Sequence, residues 1–263
     1  MKMKRKMKNS IRKIALAVAE VMVPGNVKSF FLYGKFALAV TVMAAALTAC
    51  SGLSGLDVVG KDSVSSFEKV LNAIPDKVQA DEMNVGWSLS APDNTVRFIW
   101  SENYSKSPLY DVMLEFDAKP FVDAGLDTSK LPKNYTIYKG MLIVGTKLGG
   151  DDLKYSGKPT ALAAYEQIVK KYRDSIGYHT ALDHYNVNLG DGNLFEWAKD
   201  LSTNGTTKEN QDKDIVFVLN PEPLIAAGVD PKKVKGWIYT TVNVDINGKP
   251  TDVYKFLKAF NLQ

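Results

Sequence analysis

The apolar positions of this chain fall into two alternating regimes that repeat. From residue 64 they recur at helical spacing as Val64, Phe67, Val70, Leu71 and Ile74, and again from residue 162 as Leu162, Tyr165, Ile168, Val169 and Tyr172. Period-two runs follow each helix. Val85-Trp87-Leu89, Val96-Phe98-Trp100 and Val112-Leu114-Phe116 alternate after the first; Phe195-Trp197 and Ile215-Phe217-Leu219 do so after the second. Two short segments, PFVDAGLD at 120–127 and PLIAAGVD at 223–230, align without a gap. Each begins with Pro and carries Gly where a helical turn ends, so each reads as one or two turns of helix. A last strand is expected at 135–146 in the first set and at 237–246 in the second.

Self-comparison makes the repetition explicit. Beyond the 120–127 and 223–230 match, Val96–Trp100 resembles Asn193–Trp197, and Lys133-Asn134-Tyr135 corresponds to Lys235-Gly236-Trp237. The elements GKDS at 60–63 and GKPT at 157–160 and 248–251 each precede a helical pattern, the third being DVYKFLKAF. Ser63, Thr160 and Thr251 stand where a hydroxyl caps a helix. The expected architecture is therefore α+β: two divergent tandem repeats, each a helix packed on an antiparallel sheet, plus a C-terminal helix. The repeats span 61–150 and 157–263.

Composition divides the chain in a different place. Of the 33 Lys/Arg, nine lie before residue 50, with a single acid, Glu20. The remainder keeps 24 basic and 28 acidic side chains, a net charge near −4. The positive charge of the whole chain thus belongs to its leader, and the folded part has no electrostatic footprint for nucleic acid. Residues 36–49 (FALAVTVMAAALTA) carry no charge and, as a helix, would span about 21 Å, short of the roughly 30 Å hydrocarbon core. They read as the apolar region of a signal peptide.

The one cysteine, Cys50, closes the sequence Leu47-Thr48-Ala49-Cys50 directly after that segment. This resembles the lipobox of bacterial lipoproteins. The resemblance covers the leader and Cys50 alone. It implies that residues 1–49 are a signal peptide cut before Cys50, and that lipid such as palmitate is joined to the cysteine sulfur. It also implies that the protein is anchored on the extracytoplasmic face of the cell membrane. A leader of this length exceeds the usual 15–30 residues, which predicts that translation starts at Val27, with Met22 the alternative. Residues 50–60 form a short tether.

Candidate chemistry is sparse. Gly55 to Lys61 has the two-glycine spacing of a phosphate loop, but Asp62 follows the lysine where Ser or Thr is required. No Gly-x-Ser-x-Gly elbow occurs. His179 and His184 flank Asp183 closely enough to be weighed as metal ligands, but the favoured reading places them at the surface or in a loop, with no metal. Asp191-Gly192-Asn193 reads as a hairpin turn. The carboxylates Asp151, Asp152, Asp212, Asp214 and Glu222 read as solvated loop acids. Trp100 and Trp197 match between the repeats, as do Tyr135 and Trp237, and such aromatics are expected in the core. No catalytic residue, metal site or cofactor is assigned, and no ligand-binding residue is singled out. The expected function is a non-enzymatic module that binds a protein or envelope partner; the alternative is a small-ligand or carbohydrate-binding lipoprotein associated with a transporter.

Overall fold

The structure is a computed structural model that describes residues 56–82, 84–149, 157–179, 183–201, 213–242 and 253–262. Cys50, the signal segment and Thr251 lie outside the described residues. Among the described residues no helix is long and apolar enough to cross a membrane.

Helix α1 (Val58–Ala73) leads to a single 3-10 turn and then β1 (Val78–Asp81), β2 (Gly86–Ser90), β3 (Val96–Ser101) and β4 (Val112–Asp117). A one-turn helix α2 (Lys119–Asp123) and the hairpin β5 (Tyr135–Tyr138) and β6 (Met141–Thr146) complete the first half. The second half repeats this order: α3 (Ala161–Lys171), β7 (Ile176–His179), β8 (His184–Asn188), β9 (Leu194–Ala198), β10 (Ile215–Leu219), α4 (Glu222–Ala226), β11 (Ile238–Val242) and β12 (Val253–Phe260). The two six-stranded sheets share one topology, β1-β2-β3-β4-β6-β5 and β7-β8-β9-β10-β12-β11, with every neighbouring pair antiparallel.

The α+β class and the tandem arrangement stand, with local corrections. Val253–Phe260 is strand β12, where a C-terminal helix was expected. Its helical spacing is overridden by pairing on both sides, with β10 and with β11. The single last strand expected at 135–146 is a hairpin that turns at Lys139-Gly140, both with positive φ. Helix α1 starts at Val58, inside the stretch read as tether, and Asp57 caps it by accepting from the Gly60 N–H. Ser63 accordingly lies within the helix, buried and hydrogen-bonded to the Tyr165 hydroxyl. Thr160 caps α3 as expected, accepting from the Ala163 N–H.

The helices are exchanged between the halves. α1 packs on β7 and β9 of the second sheet, α3 packs on β2 and β3 of the first, and the two helices lie against each other. Hydrogen bonds follow the same exchange. The Trp100 indole N–H of β3 donates to the Ala161 carbonyl of α3 at 3.0 Å, and the Ser66 hydroxyl of α1 donates to the Lys199 carbonyl after β9 at 3.0 Å. One continuous apolar core results, drawing on Phe67, Phe98 and Trp100 from one half and Tyr165, Phe195 and Trp197 from the other.

Matched residues meet their own counterparts inside that core. Phe98 and Phe195 stack with centroids 4.3 Å apart and planes 6° apart. Phe67 and Tyr165 lie 4.3 Å apart. Only residues beside a local twofold axis touch their own equivalents, so the halves are related by such an axis and share their interior.

Candidate functional site

A concavity lies along the β11–β12 hairpin. A groove of about 630 Å3 is lined by Pro231, Lys232, Val234, Trp237, Tyr239 and Tyr254. A neighbouring depression of about 560 Å3 is lined by Asp117, Lys119, Pro120, Asp123 and the lysines 232, 233 and 235, so Lys232 belongs to both.

Local structure sets each wall. The Asp230 backbone N–H donates to the Ala124 carbonyl of the other half, and its carboxylate accepts from the Lys232 N–H, which fixes the chain at Pro231-Lys232. Lys233 closes an ion pair back to Asp230 at 3.0 Å, and that lysine chiefly holds the Asp230 carboxyl below its ordinary range. Trp237 is nearly buried, wedged edge-on against Phe116 and Phe121 of the first half. The Lys258 ammonium lies 5.8 Å from its ring centroid and pairs with Asp93 across the halves at 3.0 Å. On the hairpin, Tyr239 and Tyr254 stack at 4.7 Å with 16° between planes, and Tyr254 is 45 % exposed. Burial, then the neighbouring Tyr254, raises the Tyr239 phenol above its ordinary value, so it stays protonated as a hydrogen-bond donor.

The first half serves as an internal reference for this groove. By strand register and the gapless 120–127 match, Ser129 stands where Lys232 does, Tyr135 where Trp237 does, Ile137 where Tyr239 does, and Gly140 where Tyr254 does. Lys130 and Lys233, by contrast, are equivalent and make the same i,i+3 ion pair with Asp127 and Asp230. The two halves thus share the paired lysine and a large aromatic at 135 and 237, and differ at Lys232, Tyr239 and Tyr254.

A second departure is buried on the outer face of the second sheet. His179 and His184 are directly paired across β7 and β8, and both are buried, which corrects the surface or loop placement expected for them. Neither ring nitrogen of either residue has a hydrogen-bond partner. Burial lowers both imidazoles to about 4, so they are neutral at pH 7. Asp183 does not join them, because its carboxylate accepts from the Tyr178 hydroxyl. Among the described residues no group of three or more His, Cys, Asp or Glu side chains is arranged to hold a metal ion. Glu196 of β9 faces the same side, fully buried with both oxygens unpartnered, and burial pushes its carboxyl up to about 8. Its counterpart in the first half is Ile99, since Ser88 pairs with Ile99 as Asn186 pairs with Glu196. Glu115, also nearly buried, is satisfied by the Arg97 guanidinium at 2.5 Å. Glu196 lines neither groove.

Other positions weighed from sequence resolve simply. Asp191-Gly192-Asn193 forms the β8–β9 hairpin turn, with Asp191 and Gly192 at positive φ. Trp100 and Trp197 are core residues. Asp214 is buried, its carboxylate accepting from the Leu262 N–H, whereas Glu222 is exposed in α4. Asp151, Asp152 and Asp212 lie outside the described residues. Sequence reasoning paired Trp237 with Tyr135 but did not single out Lys232, Tyr239 or Tyr254. Their signal was a difference between repeats, visible only once strand register aligned β11 with β5.

Compared with known proteins, the chain matches no family model, no curated protein and no solved structure.

Proposed function

We propose that this protein is a lipoprotein held on the extracytoplasmic face of the cell membrane by lipid on Cys50, and that its folded body is a non-enzymatic module that binds a protein or envelope partner. The anchor reading is supported by the uncharged segment 36–49 that ends at Leu47-Thr48-Ala49-Cys50. The binding reading is carried by one observation: a lysine-edged aromatic groove occurs in one of two halves that otherwise share their topology. The Tyr239–Tyr254 stack beside Lys232 combines an aromatic face with a cation, the composition partner-binding surfaces favour, and the first half has neither at the equivalent positions.

Stacked phenols also suit a flat sugar ring, which keeps a carbohydrate or other small ligand as the second reading. Fractionation of cells expressing the wild type and Cys50→Ala tests the anchor. The wild type is expected in the membrane fraction with incorporated palmitate, and the variant without the label and released from the membrane. Retention of Cys50→Ala in the membrane with an unchanged processing pattern would remove the anchor from this reading.

A further inference from the structure

We infer that the groove along β11–β12 seats an acidic segment of a partner polypeptide, with an apolar or aromatic side chain against Tyr239 and Tyr254 and a carboxylate on Lys232. The inference rests on the binding-module reading and narrows the chemistry of its partner.

Charge is the first support. The part of the chain from Cys50 onward carries a net charge near −4, yet three lysines fall within four residues at this edge. Lys233 is occupied by Asp230. The acids of the adjoining depression are occupied too: Asp123 pairs with the Lys119 ammonium at 2.7 Å, and Asp117 accepts from the Lys119 backbone N–H. Lys232 and Lys235 make no ion pair among the described residues and leave the rim of the groove positive. A partner with carboxylates at its contact is steered to this edge while the acidic remainder of the surface repels it elsewhere.

The lining is the second support. A carbohydrate site reads hydroxyls with amide and carboxylate side chains placed around an aromatic platform. Among the described residues the groove offers Pro231, Val234, the edge of Trp237, two phenols and one ammonium, and these include no amide or carboxylate side chain. Apolar walls with a single cation at the rim match a peptide that alternates apolar and acidic side chains.

The third support is the first half. Its equivalent positions hold Ser129, Ile137 and Gly140, so neither the Lys232 ammonium nor the Tyr239–Tyr254 stack has a counterpart there.

The test is fluorescence anisotropy with the full chain and a fluorescein-labelled synthetic peptide, EELEYEE, against its basic counterpart KKLKYKK. Saturable binding of the acidic peptide is expected, weakening as sodium chloride is raised. Lys232→Glu and Tyr254→Ala are each expected to weaken it about tenfold or more. Lys130→Glu, the same charge change at the paired lysine of the other half, is expected to leave it unchanged. Absence of saturable binding, equal binding of KKLKYKK, equal loss in Lys130→Glu, or Lys232-dependent binding of an oligogalacturonate in place of the peptide would each overturn the inference. Membrane retention through Cys50 is read separately. Failure of the peptide with retention intact removes the acidic partner alone, and loss of Cys50-dependent retention removes the anchor without touching peptide binding.

Discussion

Gly125 and Gly228 stand back to back on the local twofold axis. A Cβ built on either would lie 2.8 Å from the carbonyl oxygen of the other, and their φ angles are +105° and +101°. The flanking bonds are reciprocal: Asp127 N–H donates to the Ala227 carbonyl at 2.7 Å, and Asp230 N–H to the Ala124 carbonyl at 2.8 Å. This crossing places Pro231 and Lys232 at the groove, so a core contact between the halves positions the groove's rim.

Gly125→Ala and Gly228→Ala are therefore each expected to destabilise the protein by about 2–4 kcal/mol, combining positive-φ strain with a backbone clash. The double variant should cost less than the sum of the two, because both substitutions press on the same contact. Urea unfolding of the three variants measures this; additive losses would show that the two glycines are not coupled.

Exchange of α1 and α3 predicts a single unfolding transition. Each helix packs chiefly on the other half's sheet while Phe67 and Tyr165 also reach their own, so the two halves share one interior. Tryptophan fluorescence and far-ultraviolet circular dichroism should give coincident urea curves. Two separated transitions would mean that the halves hold together independently.

The matched tryptophans should differ in their tolerance of phenylalanine. Trp100 donates its indole N–H to Ala161, whereas the indole N–H of Trp197 is buried without a partner. Trp100→Phe loses a buried hydrogen bond, a cost of about 1 kcal/mol beyond that of Trp197→Phe. Equal stabilities of the two variants would contradict the assignment.

Stability should peak near pH 6.5. Glu196, pushed up to about 8 by burial, keeps its proton in the folded state where the unfolded chain has lost it, so it makes stability fall as pH rises from 4.5 to 8. His179 and His184, lowered to about 4, stay neutral where the unfolded chain is protonated, and each makes stability rise between pH 4 and 6.5. Two histidines outweigh one glutamate below 6.5, and the glutamate acts alone above it, at about 1.4 kcal/mol per pH unit for each proton. Glu196→Gln should flatten the alkaline limb. Glu196→Ile, which copies Ile99, should stabilise the protein at pH 8 by about 2 kcal/mol or more. An alkaline limb that survives both substitutions would assign it to another group.

Much of this architecture is legible in local chemistry. The period of Phe67, Val70 and Leu71 made a helix, the alternation of Val96, Phe98 and Trp100 made a strand, and Pro120 and Gly125 bounded a single turn. DVYKFLKAF misled because its apolar spacing suits a helix, while its position beside β10 offers two strand edges to satisfy its backbone. His179 and His184 misled because two polar residues five apart look exposed until β7 and β8 pair them under cover. The groove was not legible, because although five of its six lining residues lie within 231–239, Tyr254 joins them only through the pairing of β11 with β12.

By itself the sequence determined what depends on short-range chemistry: the two helices, most of the strands that follow them, the duplication, and the charge boundary at Cys50. The tertiary structure alone decided which sheet each helix covers, which equivalent residues meet on the twofold, and where the halves differ. Helical and strand periodicity specify which face of an element is apolar, but not which other apolar face buries it. In a duplicated chain two nearly equivalent faces are on offer, and the choice falls to the packing of Phe67, Tyr165, Phe98 and Phe195 at the shared centre.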